Sequence, residues 1–404
     1  MSWQKSPLGM VADTQLGKML DAKKNEGEYH LYLGNDNVQW DGIDLSEVKE
    51  MRFKDSELSK FALRSGDLLV CEGGDPGRCA IWSSDDEMYY QKALHRVRAH
   101  KDVLDNRFLY YFLVHIGSTH EIRQYYTGGA TIKHLPKAAL ERVIVRYPDL
   151  EAQRRIAGVL SAYDEFIENN RKQIKLLEEA AQRLYKEWFV DLKFPGHETT
   201  PIANGLPEGW KRMAIKEICE RIQSGSTPSR KHVGFWEKGK YRWFKTAELQ
   251  DCYLFDSEEH ISEEALSYTA VKLYPANTVL MAIYASPTLG RLGILTEAST
   301  FNQAALALVP SESYISVEWL YLKLWELRDE FNQIARGAGQ QNISGEIVKN
   351  YAIAIPAKDV VSAFTSRISP FFKSIRNAQH KINAAREARD RLLPKLMSGE
   401  IGVV

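Results

Sequence analysis

The feature that most constrains this chain is that its second half repeats the first half in the same order. Residues 129–148 lie over residues 337–356 at an offset of 208, with Pro148 matching Pro356. Upstream, further matches follow in the same order at offsets of 211 to 213. Matches that keep their order at a nearly constant offset, about half the chain length, predict a duplicated domain.

A stripe of mainly apolar residues follows each half. Ten positions from Ile156 to Trp188 alternate steps of four and three residues, which is the spacing of a coiled-coil seam. The same ten positions recur 208 residues later, from Phe364 to Leu396. For one such stripe, a helix packed on its own domain is the ordinary alternative. Two matched stripes favour two long helices that pair with each other, antiparallel if a pseudo-twofold axis relates the halves, and that hold the domains apart.

Three residues qualify this prediction. Asn170 in the first seam is the kind of polar residue that fixes the register of a coiled coil. Pro370 counts against a straight second helix, whose start we expect to be kinked or delayed. Arg389 falls on the second seam and indicates where pairing ends.

Length and composition predict a soluble globular chain of two or three domains, with 404 residues of which 44% are hydrophobic and 26% are charged. In the globular halves, strand-like runs alternate with helical stretches, which predicts an α+β fold. The strand-like runs are 67–70, 142–145, 278–283 and 351–355, and the helical stretches are 107–115 and 317–331. We expect a first domain over 1–150, a spacer helix over 151–192, a linker over 193–205, a second domain over 206–356 and a C-terminal spacer helix over 357–404.

Charge and apolar content limit the compartments and the kinds of partner that we expect for this chain. No apolar run reaches the ~18 residues that span a bilayer, and the first residues lack the apolar core of a signal peptide, so we expect a cytoplasmic protein. Basic and acidic residues balance at 53 each, so binding to a polyanion must use local patches. Only residues 357–404 are distinctly basic.

The motifs of several catalytic classes are missing from the sequence. It contains no G-x-x-x-x-G-K-[ST] phosphate loop, no Asn-Pro-Pro-Tyr or Asp-Pro-Pro-Tyr tetrapeptide of an amino-methyltransferase, and no H-E-x-x-H metal spacing. These absences favour a binding protein that is not itself an enzyme and binds no cofactor or metal.

Four loops carry the residue types that nucleic-acid binding requires. Ile222–Lys231 is a Ser/Thr/Gly loop that ends in two cations, and Tyr241–Thr246 adds aromatics and cations. Small hydroxyls, cations and aromatics suit phosphate contact and base reading, although a polar hairpin beside a half-buried strand would look the same. Gly337–Asn342 carries three amides, which can bond adenine N6 and N7, and Tyr125–His134 is at the equivalent place in the first half.

From these loops and from the repeated Gly-Arg pairs we select candidate DNA-binding residues in both halves. In the second half they are Ser226, Thr227, Ser229, Arg230, Lys231, Arg242, Lys245, Arg291, Gln340, Gln341 and Asn342. In the first half they are Arg78, Tyr125, Tyr126, Thr131, Lys133 and His134.

Several stretches carry a family resemblance that covers essentially the whole chain. They are 206–212, 223–230, 243–249, 341–344, 152–156, 183–189 and 393–401. Together, in their order along the chain, these stretches resemble the specificity (S) subunit of type I restriction-modification systems. The first half matches less closely, through 18–21 and 29–38, and lacks a Thr-Pro-Ser-Arg loop.

The resemblance implies that each globular half is a target recognition domain that reads one part of a bipartite, asymmetric DNA sequence. It implies two modification subunits that bring S-adenosylmethionine and methylate adenine, and restriction subunits that bring ATP- and Mg-dependent translocation and cleavage. The basic residues Arg386, Arg389, Arg391 and Lys395 would meet acidic partner surfaces or phosphates, or simply solvate the helix. The alternative function is a coiled-coil adaptor that binds proteins through two globular heads, without DNA specificity.

Overall fold

The computed structural model describes residues 3–21, 25–129, 133–284, 288–337 and 342–403 of the chain. The chain forms two compact units. Unit 1 comprises Met1–Glu168 and Ala384–Val404, and unit 2 comprises Asn169–Asn383. Each unit therefore contains one globular domain and parts of both long helices.

Unit 1 contains three sheets that recur in unit 2. Its main sheet has antiparallel strands in the spatial order Ala12–Leu16, Leu94–Ala99, Leu68–Cys71 and Cys79–Ile81. Its small sheet has the order Lys49–Phe53, Glu28–Leu33 and Tyr89–Tyr90, with the last pair parallel. An edge sheet pairs Gln4–Pro7 with Ile144–Tyr147, and a short hairpin pairs Val38–Gln39 with Gly42–Ile43. The shorter α-helices are Leu8–Val11, Asp55–Phe61, Asn106–Ser118 and Lys137–Leu140.

Unit 2 repeats this arrangement with one strand added to the main sheet. The main sheet has the order Cys219–Ser224, Ala305–Pro310, Val279–Ala282, Leu292–Leu295 and Cys252–Leu254, the last pair being parallel. The small sheet has the order Glu259–Ile261, Tyr241–Phe244 and Thr300–Phe301, again with a parallel last pair. The edge sheet pairs Lys211–Ala214 with Ala352–Ile355, and a hairpin pairs Ile202–Ala203 with Leu206–Pro207. The shorter α-helices are Glu263–Tyr268, Val317–Glu326, Arg328–Gly337 and Gly345–Asn350.

A buried strand at the middle of each main sheet explains the layers. Leu68–Cys71 is buried along its whole length. Successive side chains of a strand point to opposite faces, so Leu68 packs with Phe108 on the helical side, whereas Leu69 packs with Phe53 under the small sheet. The equivalent strand of unit 2 also divides its side chains between two cores. The predicted duplication and the α+β fold class are confirmed.

The two long helices run antiparallel. The first covers Leu150–Tyr185 and the second covers Lys358–Ser398. In unit 1, Leu160 from the start of the first helix shares a core with Leu393 from the end of the second. In unit 2, Tyr185 at the end of the first lies near Phe364 at the start of the second, with ring centroids 6.0 Å apart. All twenty predicted seam positions are buried or half-buried, which confirms the pairing of the two long helices.

Two local expectations need correction. The second long helix begins at Lys358 and includes Pro370, so a delayed start, one of the two effects expected of the proline, is wrong. The stretch expected to be one helix over 317–331 is two helices that are separated at Leu327. Among the described residues, no helix combines the length and the apolar character needed to cross a membrane.

Candidate nucleic-acid interface

The hydroxyl-rich loop of unit 2 is fastened to the small sheet. Gly225 passes so close to the strand Thr300–Phe301 that a Cβ atom there would lie 2.2 Å from the carbonyl oxygen of Phe301. Ser226 donates its backbone N–H to the same oxygen at 3.0 Å and accepts from the indole Nε1 of Trp243 at 3.0 Å. Thr227 donates its hydroxyl to the side-chain oxygen of Gln303. The loop therefore starts from a fixed backbone position.

Arg230 is held between aromatic rings and a carboxylate. Its guanidinium carbon lies 3.7 Å from the ring centroid of Trp236 and 5.1 Å from that of Trp243. Its two terminal nitrogens donate to both carboxylate oxygens of Glu259, the Nη2 bond measuring 2.9 Å. The hydrogen bond from Arg230 lowers the pKa of the Glu259 carboxyl below its ordinary value. Trp236 also donates its Nε1 proton to the carbonyl oxygen of Ser229 at 3.2 Å.

The cations on the neighbouring strand are also paired. Arg242 donates to Asp256 at 3.2 Å and to Glu297 at 2.7 Å. Lys245 donates to Glu258 at 2.6 Å, and this hydrogen bond raises the pKa of the Lys245 ammonium group. Both cations are more buried than these three carboxylates, with exposed side-chain fractions of 26% and 32% against 67% to 69%. The carboxylates thus form the outer layer of this surface.

The remaining candidates of unit 2 are less closely associated with the small sheet. Lys231 is exposed, and its side chain has no hydrogen bond or ion pair among the residues that the structure describes. Arg291 is half-buried and precedes a main-sheet strand, and Asn342 forms a backbone bridge with Tyr284. Gln340 and Gln341 lie outside the described residues.

In unit 1, the first three candidates stabilise loops. Arg78 donates to the carbonyl oxygen of Asn35 at 2.8 Å. Tyr125 accepts from the backbone N–H of Ile144 at 3.1 Å, and Tyr126 donates its hydroxyl to the carbonyl oxygen of Pro76. Burial raises the pKa of the Tyr126 phenol.

Two further candidates of unit 1 are Lys133 and His134. His134 forms a backbone bridge with Thr127, and Lys133 directly precedes it. The ring nitrogen Nδ1 of His134 lies 3.8 Å from the carboxylate of Glu72, and Lys133 is exposed. Thr131 lies outside the described residues.

The first half places a different residue where the second half has Ser226. Lys18 donates its backbone N–H to Tyr90, just as Ser226 donates to the equivalent strand of unit 2. Its side chain is only 4% exposed, and its Nζ atom donates to Glu57 at 2.5 Å and to the carbonyl oxygen of Arg52 at 2.7 Å. The two units therefore share the approach to this loop but not its chemistry.

The structure brings together five second-half candidates, and it adds partners that the sequence analysis missed. The clustered candidates are Ser226, Thr227, Arg230, Arg242 and Lys245, and Ser229 joins them through its carbonyl oxygen, which accepts from Trp236. The missed partners are Trp236, Asp256, Glu258, Glu259, Glu297 and Gln303. The acidic run 256–259 was the available signal, because four polar or acidic residues beside a basic strand indicate charge pairing.

Comparison with known proteins gives this fold a family. The model for the type I restriction modification DNA specificity domain matches residues 2–179 and 207–387. The type I restriction enzyme MjaIX specificity subunit of Methanocaldococcus jannaschii is 28% identical over 309 residues, 75% of this chain and 71% of that protein. The HindI specificity subunit of Haemophilus influenzae is 20% identical over 428 residues, 89% of this chain and 90% of that protein.

A solved structure shares the fold over nearly the whole length. The type I restriction-modification S subunit from M. genitalium superposes with a TM-score of 0.61 at 17% identity, and covers 98% of this chain and 96% of its own. Since the family model matches both halves, this chain belongs to the type I restriction-modification DNA specificity family. Its role is that of a DNA specificity subunit, as the sequence predicted.

Proposed function

We propose that this chain reads a bipartite, asymmetric DNA sequence, one part with each globular domain. The observation that carries the proposal is the duplication itself, since each unit repeats the same three sheets while the loops differ. Two copies of one scaffold with different loops suit the reading of two unlike DNA segments.

We further propose that catalysis belongs to partner subunits in the cytoplasm. Modification subunits would supply S-adenosylmethionine and methylate adenine, and restriction subunits would supply ATP- and Mg-dependent translocation and cleavage. The missing phosphate-loop and methyltransferase motifs in the sequence support this division. This chain would then select the site at which its partners act.

Binding by the purified complex with modification subunits tests the proposal. A duplex selected from a random library should contain two conserved segments, and one mismatch in either segment should cost ~1–3 kcal/mol. The affinity should fall steeply with salt because phosphate contacts release counterions. Retention of all duplexes alike would contradict the proposal and favour the adaptor function.

Loop substitutions assign the segments to the domains. Gln341→Ala with Asn342→Ala should alter the preference in one segment, and Thr131→Val with His134→Ala should alter it in the other. Gln250→Ala, an exposed amide elsewhere in unit 2, is the control. If both loop variants changed the same segment, the assignment of one segment to each domain would be wrong.

A further inference from the structure

Two adjacent cations of the unit 2 loop have very different surroundings. Arg230 is stacked on Trp236 and bonded through both terminal nitrogens to Glu259. Lys231 is exposed and has no partner among the described residues. By sequence alone, both residues are equal candidates for DNA contact.

The stacked arginine is part of a connected group that we name the Arg230 clamp, comprising Arg230, Trp236, Trp243 and Glu259. The two indole rings of the clamp meet edge to face, with centroids 5.0 Å apart and planes at 88°. The Trp236 indole donates to the carbonyl oxygen of Ser229, and the Trp243 indole donates to that of Ser226. The clamp therefore fixes the loop backbone at both ends of the Thr-Pro-Ser segment.

The charge of Arg230 is already balanced inside the clamp. A phosphate that bound the guanidinium would have to displace the Glu259 carboxylate, whose other cation, Lys245, lies 3.7 Å away and already bonds Glu258. The phosphate contact would therefore be offset by the loss of the pair between Arg230 and Glu259. Lys231 has no such carboxylate in the described residues, so its contact with a phosphate would release a counterion. In binding experiments, each phosphate contact of this kind contributes ~0.9 to the magnitude of the slope of log affinity against log salt.

We infer that Arg230 is a positioning residue of the DNA-reading loop, and that Lys231 makes the phosphate contact. This inference rests on the proposed function and goes further by dividing the roles of two neighbouring cations. The planar guanidinium is required because it stacks on an indole while bonding a carboxylate in a bidentate manner, which an ammonium group cannot do. Loss of the clamp should therefore impair discrimination among sequences.

Salt titration of duplex binding by the complex with modification subunits separates the two roles. The variants are Lys231→Gln, Arg230→Lys and Glu259→Gln, with Lys211→Gln as the control for removal of an exposed lysine in unit 2. Each is measured on the selected duplex and on a random duplex between 50 and 200 mM salt, about a fourfold range. Thermal unfolding of each variant checks that the fold is retained.

Lys231→Gln should lower the slope by ~0.9, a roughly three- to fourfold change in affinity across this salt range, and should leave discrimination intact. Arg230→Lys should keep the slope and lose discrimination several-fold. Glu259→Gln should lose discrimination to a similar extent without lowering the slope, although it removes a negative charge whereas Arg230→Lys leaves the charge unchanged. This shared loss would support the clamp.

The inference is overturned if Arg230→Lys or Glu259→Gln discriminates as well as the natural chain, or if Lys231→Gln keeps the natural slope. These results would leave the proposed function intact, since the natural chain would still select its duplex. If the natural chain shows no selection, the proposed function fails and the inference falls with it.

Discussion

The two junctions between the helix pair and a globular domain differ at three equivalent positions. In unit 1 these positions are polar: Arg389 donates to one oxygen of Asp164 at 2.5 Å, and the Tyr111 hydroxyl donates to the other at 2.5 Å. The arginine and the carboxylate are 20% and 30% exposed. We name these residues the unit 1 triad.

Unit 2 has apolar residues at the three equivalent positions. The repeat offsets of 208 and 211 place Ala181, Leu322 and Phe372 there, and all three line one cavity of about 140 Å³. Apolar side chains therefore replace the ion pair at these positions. In the same core, Phe364 is fully buried, and its ring centroid is 4.8 Å from that of Phe189.

The difference shows that one backbone arrangement accommodates either an ion pair or apolar side chains at these positions. An ion pair removed from water gains little net stability, because the desolvation of both charges offsets their attraction. It is directional, however, so the unit 1 triad is satisfied in only one helix register. We therefore expect the apolar junction to contribute more stability and the polar junction to contribute more selectivity in pairing.

The largest expected effect is at the apolar junction. Phe364→Ala should destabilise unit 2 by ~3–5 kcal/mol, because it removes a fully buried ring and leaves a cavity. Urea unfolding followed by tryptophan fluorescence measures this loss. Leu176→Ala, 66% exposed on the first long helix, is the control and should change little. A loss below about 1 kcal/mol for Phe364→Ala would refute the apolar account.

Breaking the polar junction should have the next largest effect. Asp164→Ala removes the more buried carboxylate beside the guanidinium of Arg389 and leaves only its pair with the exposed Asp390. It should destabilise unit 1 by ~2–3 kcal/mol. The matched control on the same helix is Glu151→Ala, which breaks an exposed pair with Arg155 and should cost less than ~0.5 kcal/mol. Equal losses in the two variants would show that the unit 1 triad behaves as a surface pair.

Replacing the whole triad sharpens the comparison. Tyr111→Leu, Asp164→Phe and Arg389→Ala together install the unit 2 side chains in unit 1. Because no buried charge is left unpaired, the triple variant should recover most of the lost stability. Its free energy of unfolding should lie within ~1–2 kcal/mol of that of the natural chain. A triple variant no more stable than Asp164→Ala alone would mean that the two junctions are not interchangeable.

The smallest effect concerns a carboxyl group beside the apolar junction. The pKa of Glu178 is raised to about 7, first by burial and then by the charge of Asp251. At the equivalent position unit 1 has Arg386, whose Nη2 atom lies 3.6 Å from the carboxylate of Asp41. At this equivalent position unit 2 therefore has two carboxylates that repel each other, whereas unit 1 has an ion pair.

This raised pKa makes stability depend on pH. The folded chain holds the Glu178 proton more tightly than the unfolded chain, whose carboxyl pKa is near 4.5, so stability falls as pH rises from about 4.5 to about 7. Glu178→Gln should therefore stabilise unit 2 at pH 8 by on the order of 1 kcal/mol after solvent screening, and much less at pH 5. Thermal unfolding at both pH values measures it. A gain of equal size at both would contradict the shifted pKa.

The sequence predicted the features that repeat. The duplication, the α+β class, the antiparallel helices and the family all follow from patterns that extend over many residues, so single deviations do not hide them. All twenty seam positions are at least half-buried for this reason. Local boundaries were harder, as the break at Leu327 shows.

The partners of individual charges could not be predicted. Arg389 was interpreted as the end of helix pairing, as a solvating charge or as a contact for acidic partner surfaces or phosphates. In the structure it bonds Asp164, 225 positions earlier. Arg230 and Arg242 were selected for their charge, but their carboxylates come from strands and turns that only the folded chain brings near. Contacts so distant in sequence leave no periodic signal.

The most direct test of the central claim is single-molecule sequencing for N6-methyladenine. DNA is compared from cells that express the modification subunit with this chain and from cells that express it without this chain. The account predicts a bipartite methylated motif that appears only when this chain is present. Methylation that is absent in both cells despite an active partner, or the same motif in both, would contradict it.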